Sequence, residues 1–205
     1  MYLQLVLLAL LVLVVSGVIA WRAMTAEPNG MNETVDQPVP FSHKHHVGDI
    51  GIDCRYCHAS VETSAYAGMP SIATCMTCHS QLFSDQPMLR PLIDAWQSGV
   101  PLAWRRVNQL PDFVYFDHSI HVAKGVGCAS CHGRVDRMPL MRRTQPLSMA
   151  WCLDCHRDPS LQLRPREHVF DMAWAPHDTR ALGDALVETY RIDRRKLMDC
   201  SICHR

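Results

Sequence analysis

Five copies of one pentad, Cys-x-x-Cys-His, constrain this chain more than any other feature. They are Cys54-Arg55-Tyr56-Cys57-His58, Cys75-Met76-Thr77-Cys78-His79, Cys128-Ala129-Ser130-Cys131-His132, Cys152-Leu153-Asp154-Cys155-His156 and Cys200-Ser201-Ile202-Cys203-His204. The pentad is the attachment site of a c-type haem. Its two thiols add to the haem vinyl groups, and the histidine becomes the proximal iron ligand. All ten cysteines lie in pentads, so none remains for a disulfide or a reactive thiol. Zinc ribbons and redox disulfides also use paired cysteines, but neither explains a histidine after every pair. The expected cofactors are therefore five covalently attached haems, with His58, His79, His132, His156 and His204 as proximal ligands.

The first four pentads belong to an internal duplication. Phe41-Ser42-His43-Lys44-His45-His46 precedes the first two, and Phe116-Asp117-His118-Ser119-Ile120-His121 precedes the next two. Phe41 aligns with Phe116, His43 with His118, His46 with His121, Cys54 with Cys128 and Cys75 with Cys152, at offsets of 75, 75, 75, 74 and 77 residues. Histidines at i and i+3 share one face of a helical turn. His43, His46, His118 and His121 are thus expected to be distal ligands, each pair serving two neighbouring haems. His45 lies between two ligand positions and is expected to point into solvent.

The fifth haem must find its distal ligand elsewhere or stay open. Met172 is favoured, because Val169-Phe170-Asp171-Met172-Ala173-Trp174 is the most apolar part of the tail. His168, His177, Met138 and Met149 are the alternatives, and most of the eleven methionines are expected simply to pack.

Five haems in 205 residues, with aromatics at only 7%, leave little room for a conventional apolar core. The porphyrins are expected to form it, and the apoprotein to be largely unfolded. Twenty basic residues balance twenty acidic ones, which gives no argument for nucleic acid.

Residues 1–22 read as a transmembrane anchor. Leu5 to Trp21 carries no charge, and about 20 apolar residues cross a bilayer core. A cleaved signal peptide, with Val18 and Ala20 near the cleavage site, is the competing reading. No Lys or Arg precedes the run, which favours retention. Arg22 alone would predict the opposite orientation, but haem is attached to such pentads on the periplasmic side. The haem domain is therefore placed there, on a single-pass protein of the inner (cytoplasmic) membrane.

Residues 23–40 read as a linker, followed by the pentahaem domain, 41–205. That domain comprises repeat units 41–80 and 116–157 and a C-terminal haem segment, 158–205. The fold class expected is a mainly irregular and α-helical multihaem cytochrome c, a duplicated haem-cored unit behind one N-terminal helix. Ser84-Asp85 is expected to cap a helix to about Gln97, with Leu89, Leu92, Ile93 and Trp96 on one face and Gly99 beyond its end. Pro91 counts against a straight helix. Phe113–Phe116 reads as a short extended piece. Thr179–Ile192, with Leu182, Leu186 and Tyr190, reads as an amphipathic helix packed on a haem.

The Phe-x-His-x-x-His plus Cys-x-x-Cys-His unit resembles the class III cytochromes (c3 and c7 types). The whole chain is similar to the pentahaem cytochrome subunit of bacterial alternative complex III, on the residues 41–48, 51–58, 110–116 and 133–136 as well as the anchor and all five pentads. That resemblance implies an electron-transfer subunit of a quinol-oxidising respiratory or photosynthetic complex. Its partners would be an iron–sulfur/molybdopterin-like subunit, quinol-binding integral membrane subunits, and a monohaem cytochrome c, copper protein or other soluble carrier as acceptor. Two other functions compete. A membrane-anchored multihaem quinol dehydrogenase would oxidise quinol itself. A multihaem reductase would need an open distal position, and such enzymes often replace a proximal histidine by lysine, which no pentad here does.

Overall fold

The computed structural model describes residues 2–25 and 30–204. The chain divides into two units, Met1–Met31 and Asn32–Arg205. The first contains helix α1, Tyr2–Thr25, of 24 residues. Within it Gln4–Arg22 is apolar enough to cross a membrane, and leucines and valines are exposed all along it. A helix apolar on every side has no polar face to offer water. Ser16, the one hydroxyl residue within Gln4–Arg22, donates back to the Val12 carbonyl at 2.7 Å.

The second unit is a succession of short helices. These are α2 (Cys54–Cys57), α3 (Ile72–His79), α4 (Arg90–Ser98), α5 (His118–Ala123), α6 (Cys128–His132), α7 (Met149–Arg157) and α8 (Thr179–Thr189). Lys44–Asp49 forms a π-helical turn, and short 3₁₀ turns link the rest. Among the described residues there is no sheet, only the isolated bridges Thr34↔Arg142 and Val126↔Leu163. Short polar caps explain why such short helices start where they do. Side-chain oxygens of Asp53, Ser71, Asp117, Ser148 and Asp178 accept first-turn N–H groups of α2, α3, α5, α7 and α8.

Three small apolar clusters replace one large core. Val39, Met76, Leu89 and Leu92 join α3 to α4. Val135, Met138 and Met172 form the second, and Leu163, Leu186 and Val187 the third.

Several expectations need correction. The helix expected from Ser84-Asp85 begins at Arg90, after a 3₁₀ turn Pro87–Leu89. Pro91 stands in its first turn, where a missing N–H costs nothing. Ala95, not Trp96, turns inward, and Trp96 is exposed. The end is as read: Gly99 caps α4 in the left-handed region, φ 72°. Phe113 lies in a turn and Val114–Phe116 pairs with no strand. The helix α8 stops at Thr189 rather than Ile192, where Arg191 adopts φ 52°. Its apolar face packs on Leu163 in the third cluster. Gly183 lies so close to Ser160 of the 3₁₀ turn Pro159–Gln162 that a Cβ would collide with the Ser160 carbonyl. Finally, the segment read as a linker is tied down from Asn32 on. Asn32 N–H donates to Arg143 O at 2.8 Å, Gln37 is bonded through both amide atoms to Arg105, and Val39 is buried.

The two repeats hold each other's histidine-bearing turns. Lys44 N–H donates to Met138 O of the second repeat, while His118 and Ser119 N–H groups donate to Ala65 and Ser64 O of the loop after the first pentad. Gly48 packs against Asp136, leaving no room for a Cβ.

Candidate haem-binding site

Each pentad forms roughly one helical turn, which puts Cys i, Cys i+3 and His i+4 on a common side. In the first and last, the histidine N–H donates to the first cysteine's carbonyl at 2.9 Å, His58 to Cys54 and His204 to Cys200. The ten thiols are free. Burial, then neighbouring cysteines, push Cys128 up to about 11 and Cys131 up to about 12, so they are neutral thiols rather than reactive thiolates.

The leading phenylalanines act as wedges. Phe41 meets His43 edge-on at 4.9 Å and stacks on His46 at 4.5 Å. Phe116 meets His118 edge-on at 4.8 Å and stacks on His121 at 4.5 Å. The duplication read from spacing therefore extends to ring geometry.

The histidines fall into facing pairs. His46 and His79 have ring centroids 6.2 Å apart, His118 and His132 6.4 Å, and His121 and His156 6.2 Å. An imidazole nitrogen binds a first-row transition metal at about 2 Å, so two rings on opposite faces of one iron have centroids roughly 6 Å apart. The observed separations fit. His43, the remaining repeat histidine, lies within electrostatic reach of His58, His46 and His132, and burial first, then these neighbours, lowers its pKa to about 4. Burial likewise lowers His132 to about 4, keeping both imidazoles in the neutral form that metals require.

The other ring nitrogens show the same order. Nδ1 of His46, His58, His79, His118, His121, His156 and His204 lies 2.6–3.1 Å from the carbonyls of Ser42, Gly68, Leu82, Ala65, Asp117, Leu197 and Phe113. Such a bond fixes the tautomer, aims Nε2 at the metal and raises its donor strength. His132 Nδ1 instead meets the Asn108 side chain at 3.0 Å. Asn108 Oδ1 is buried without a partner. Exchanging the amide's oxygen and nitrogen, an assignment made from hydrogen bonding, lets Oδ1 accept the His132 Nδ1–H and leaves the amide nitrogen in the buried position without a partner. His43 alone in this set has a buried Nδ1 without a partner.

The other expected residues lie apart from these pairs. His45 is exposed with Asp49 3.9 Å away. His168 sits 3.7 Å from Asp171 and stacks on Trp174, and His177 and Met149 are exposed. Met172 packs with Met138 and Val135 against Cys54 and Cys128, at the first and third pentads. The ring beside His204 is that of Phe113, 5.9 Å away. Sequence reasoning missed Asn108 and the seven carbonyl acceptors. A backbone carbonyl has no sequence signature, and Asn108 is a lone polar residue in a loop.

The class III cytochrome c family matches residues 20–98, and the cytochrome c7 and related cytochromes match residues 114–205. The fold and these matches define a multihaem c-type cytochrome, built of duplicated class III units. The chain is 38% identical over 195 residues to the multiheme cytochrome c subunit of menaquinone reductase from Nitratidesulfovibrio vulgaris strain Hildenborough, covering 94% of this chain and 77% of the relative. The chain belongs to that family of multihaem cytochromes.

Proposed function

We propose that this chain is the membrane-anchored electron-transfer subunit of a quinone-linked complex, carrying electrons through five haems. The paired imidazoles with their held Nδ1 atoms carry this reading. Bound haem supplies reversible one-electron exchange at iron, at a potential set by axial ligands and burial. The chain's own residues do the rest. The ten pentad cysteines grip the porphyrins. His58, His79, His132, His156 and His204 would hold the five irons from the pentads, and His43, His46, His118 and His121 would supply the further imidazoles of the first four. Phe41 and Phe116 hold the distal rings apart, so each can serve a different iron. Met172, expected at the fifth distal position, serves instead as packing between the first and third pentads. The fifth distal ligand is left open.

At about 1.5 Å per residue α1 exceeds the roughly 30 Å hydrocarbon core, long enough for the retained anchor that this proposal gives the chain, with the haem domain on the periplasmic side. Partners of the kinds described for alternative complex III, an iron–sulfur/molybdopterin-like subunit, quinol-binding membrane subunits and a soluble acceptor, are part of this proposal. So is the quinol-oxidising direction. The relative's name runs electrons the other way, into menaquinone, and a row of haems serves either direction because the partners' potentials set the flow. Purification with the associated subunits, followed by assays of quinol oxidation and quinone reduction, decides between them. Quinol oxidation by the isolated chain would instead make it the dehydrogenase itself.

A further inference from the structure

The pentads touch one another in a definite series. Tyr56 in the first bonds through Oη to Thr77 Oγ1 of the second at 2.7 Å, and Cys57 lies within electrostatic reach of Cys75. Cys54 and Cys128, leading the first and third pentads, pack on one buried cluster. The helix α5 ties the third to the fourth, facing His132 with His118 and His156 with His121, and Cys131 lies within electrostatic reach of Cys155 and Cys152. His156 of the fourth is held by Leu197 O at 2.9 Å, just ahead of the fifth, and Cys152 lies within electrostatic reach of Cys203. Independently, only Cys78 and Cys200, in the second and fifth pentads, are exposed among the ten cysteines.

We propose that the haems form one unbranched row in the order second, first, third, fourth, fifth, with electrons entering and leaving at the second and fifth. This order differs from that along the chain, and it rests on the five-haem reading above. Each step passes one electron from a ferrous to a neighbouring ferric iron, with no bond made or broken. The terminal irons exchange with one-electron redox centres of partner proteins.

The test is proton NMR of the fully reduced, diamagnetic holoprotein. The unmodified protein should show nuclear Overhauser contacts joining five haems through four neighbour pairs; a ring or a branch overturns the row. The variants His46→Met, His43→Met, His118→Met and His121→Met each shift one haem's signals and so name it. The haem moved by none should contact only the one moved by His121→Met. Contact of that haem with the His46 or His43 haem overturns the order while five haems remain. Four or fewer haem signal sets overturn the five-haem reading and the order with it. A neutral gadolinium chelate should broaden the edges of the second and fifth haems most; stronger broadening of the third overturns the assignment of the ends.

Discussion

Asn108 meets the buried ring of His132 at 3.0 Å, and its effect should be visible in a single haem. Asn108→Leu keeps the bulk and removes the acceptor, so the third haem's histidine becomes a weaker donor and ferrous iron is favoured. That haem's potential should rise by about 60 mV, the one-electron equivalent of a tenfold change, while the other four stay put in a redox titration. His118→Ala should open the same iron, giving a high-spin signal and carbon monoxide binding. His118→Met should keep it low-spin at a raised potential, and His45→Ala should change neither. Five unaltered low-spin haems in His118→Ala would end the assignment. The repeated pentads and the pairing of the histidine rings were legible because the proposed attachment and ligation would demand fixed residue types at fixed spacing. Asn108 was not, because a hydrogen bond between residues 24 positions apart depends on how loops meet. Met172 lies in the cluster of Val135 and Met138 beside Cys54 and Cys128, a place where methionine packs as readily as it would bind an iron.

At the scale of elements, short helices depend on their caps and on a few close approaches. Asp117 accepts from Ser119 N at 2.8 Å and Ile120 N at 3.4 Å, at the start of the helix that carries two distal histidines. Asp117→Ala should cost about 1 kcal/mol, read as a lower thermal midpoint with the spectra unchanged. Gly183→Ala should cost about 1–3 kcal/mol, since α8 must back away from Ser160; an unchanged midpoint would contradict the packing. The amphipathic pattern of α8 was legible, and its partner was not. Leu182, Leu186 and Tyr190 show only that one face is apolar. What they pack on was set by the Pro159–Gln162 turn and Leu163, which carry no periodicity of their own. Similarly Pro91 reads from sequence as a helix breaker, and it proves to mark the start of α4.

For the whole molecule, three small clusters are a thin apolar interior for a unit of this length. The holoprotein should exceed the polypeptide mass by five haems, and its removal of iron porphyrin should leave no cooperative unfolding transition. Cys203→Ala should lose the last haem alone, whereas Cys131→Ala should collapse much of the domain; equal stability with four haems in both would refute this. The reciprocal grip of the two repeats also bears on how the molecule matures. The turn carrying His43 and His46 leans on Met138 and Asp136, which follow it by some ninety residues and, on the proposed periplasmic placement, would emerge from the export channel much later. Haems attached early should then wait, with the turn that bears their distal histidines unsupported, for the second repeat to arrive. Species bearing two or three haems should be scarce and short-lived in haem-starved cells, where proteases reach loose chains first. Yield should then fall steeply, rather than in proportion, as haem supply declines.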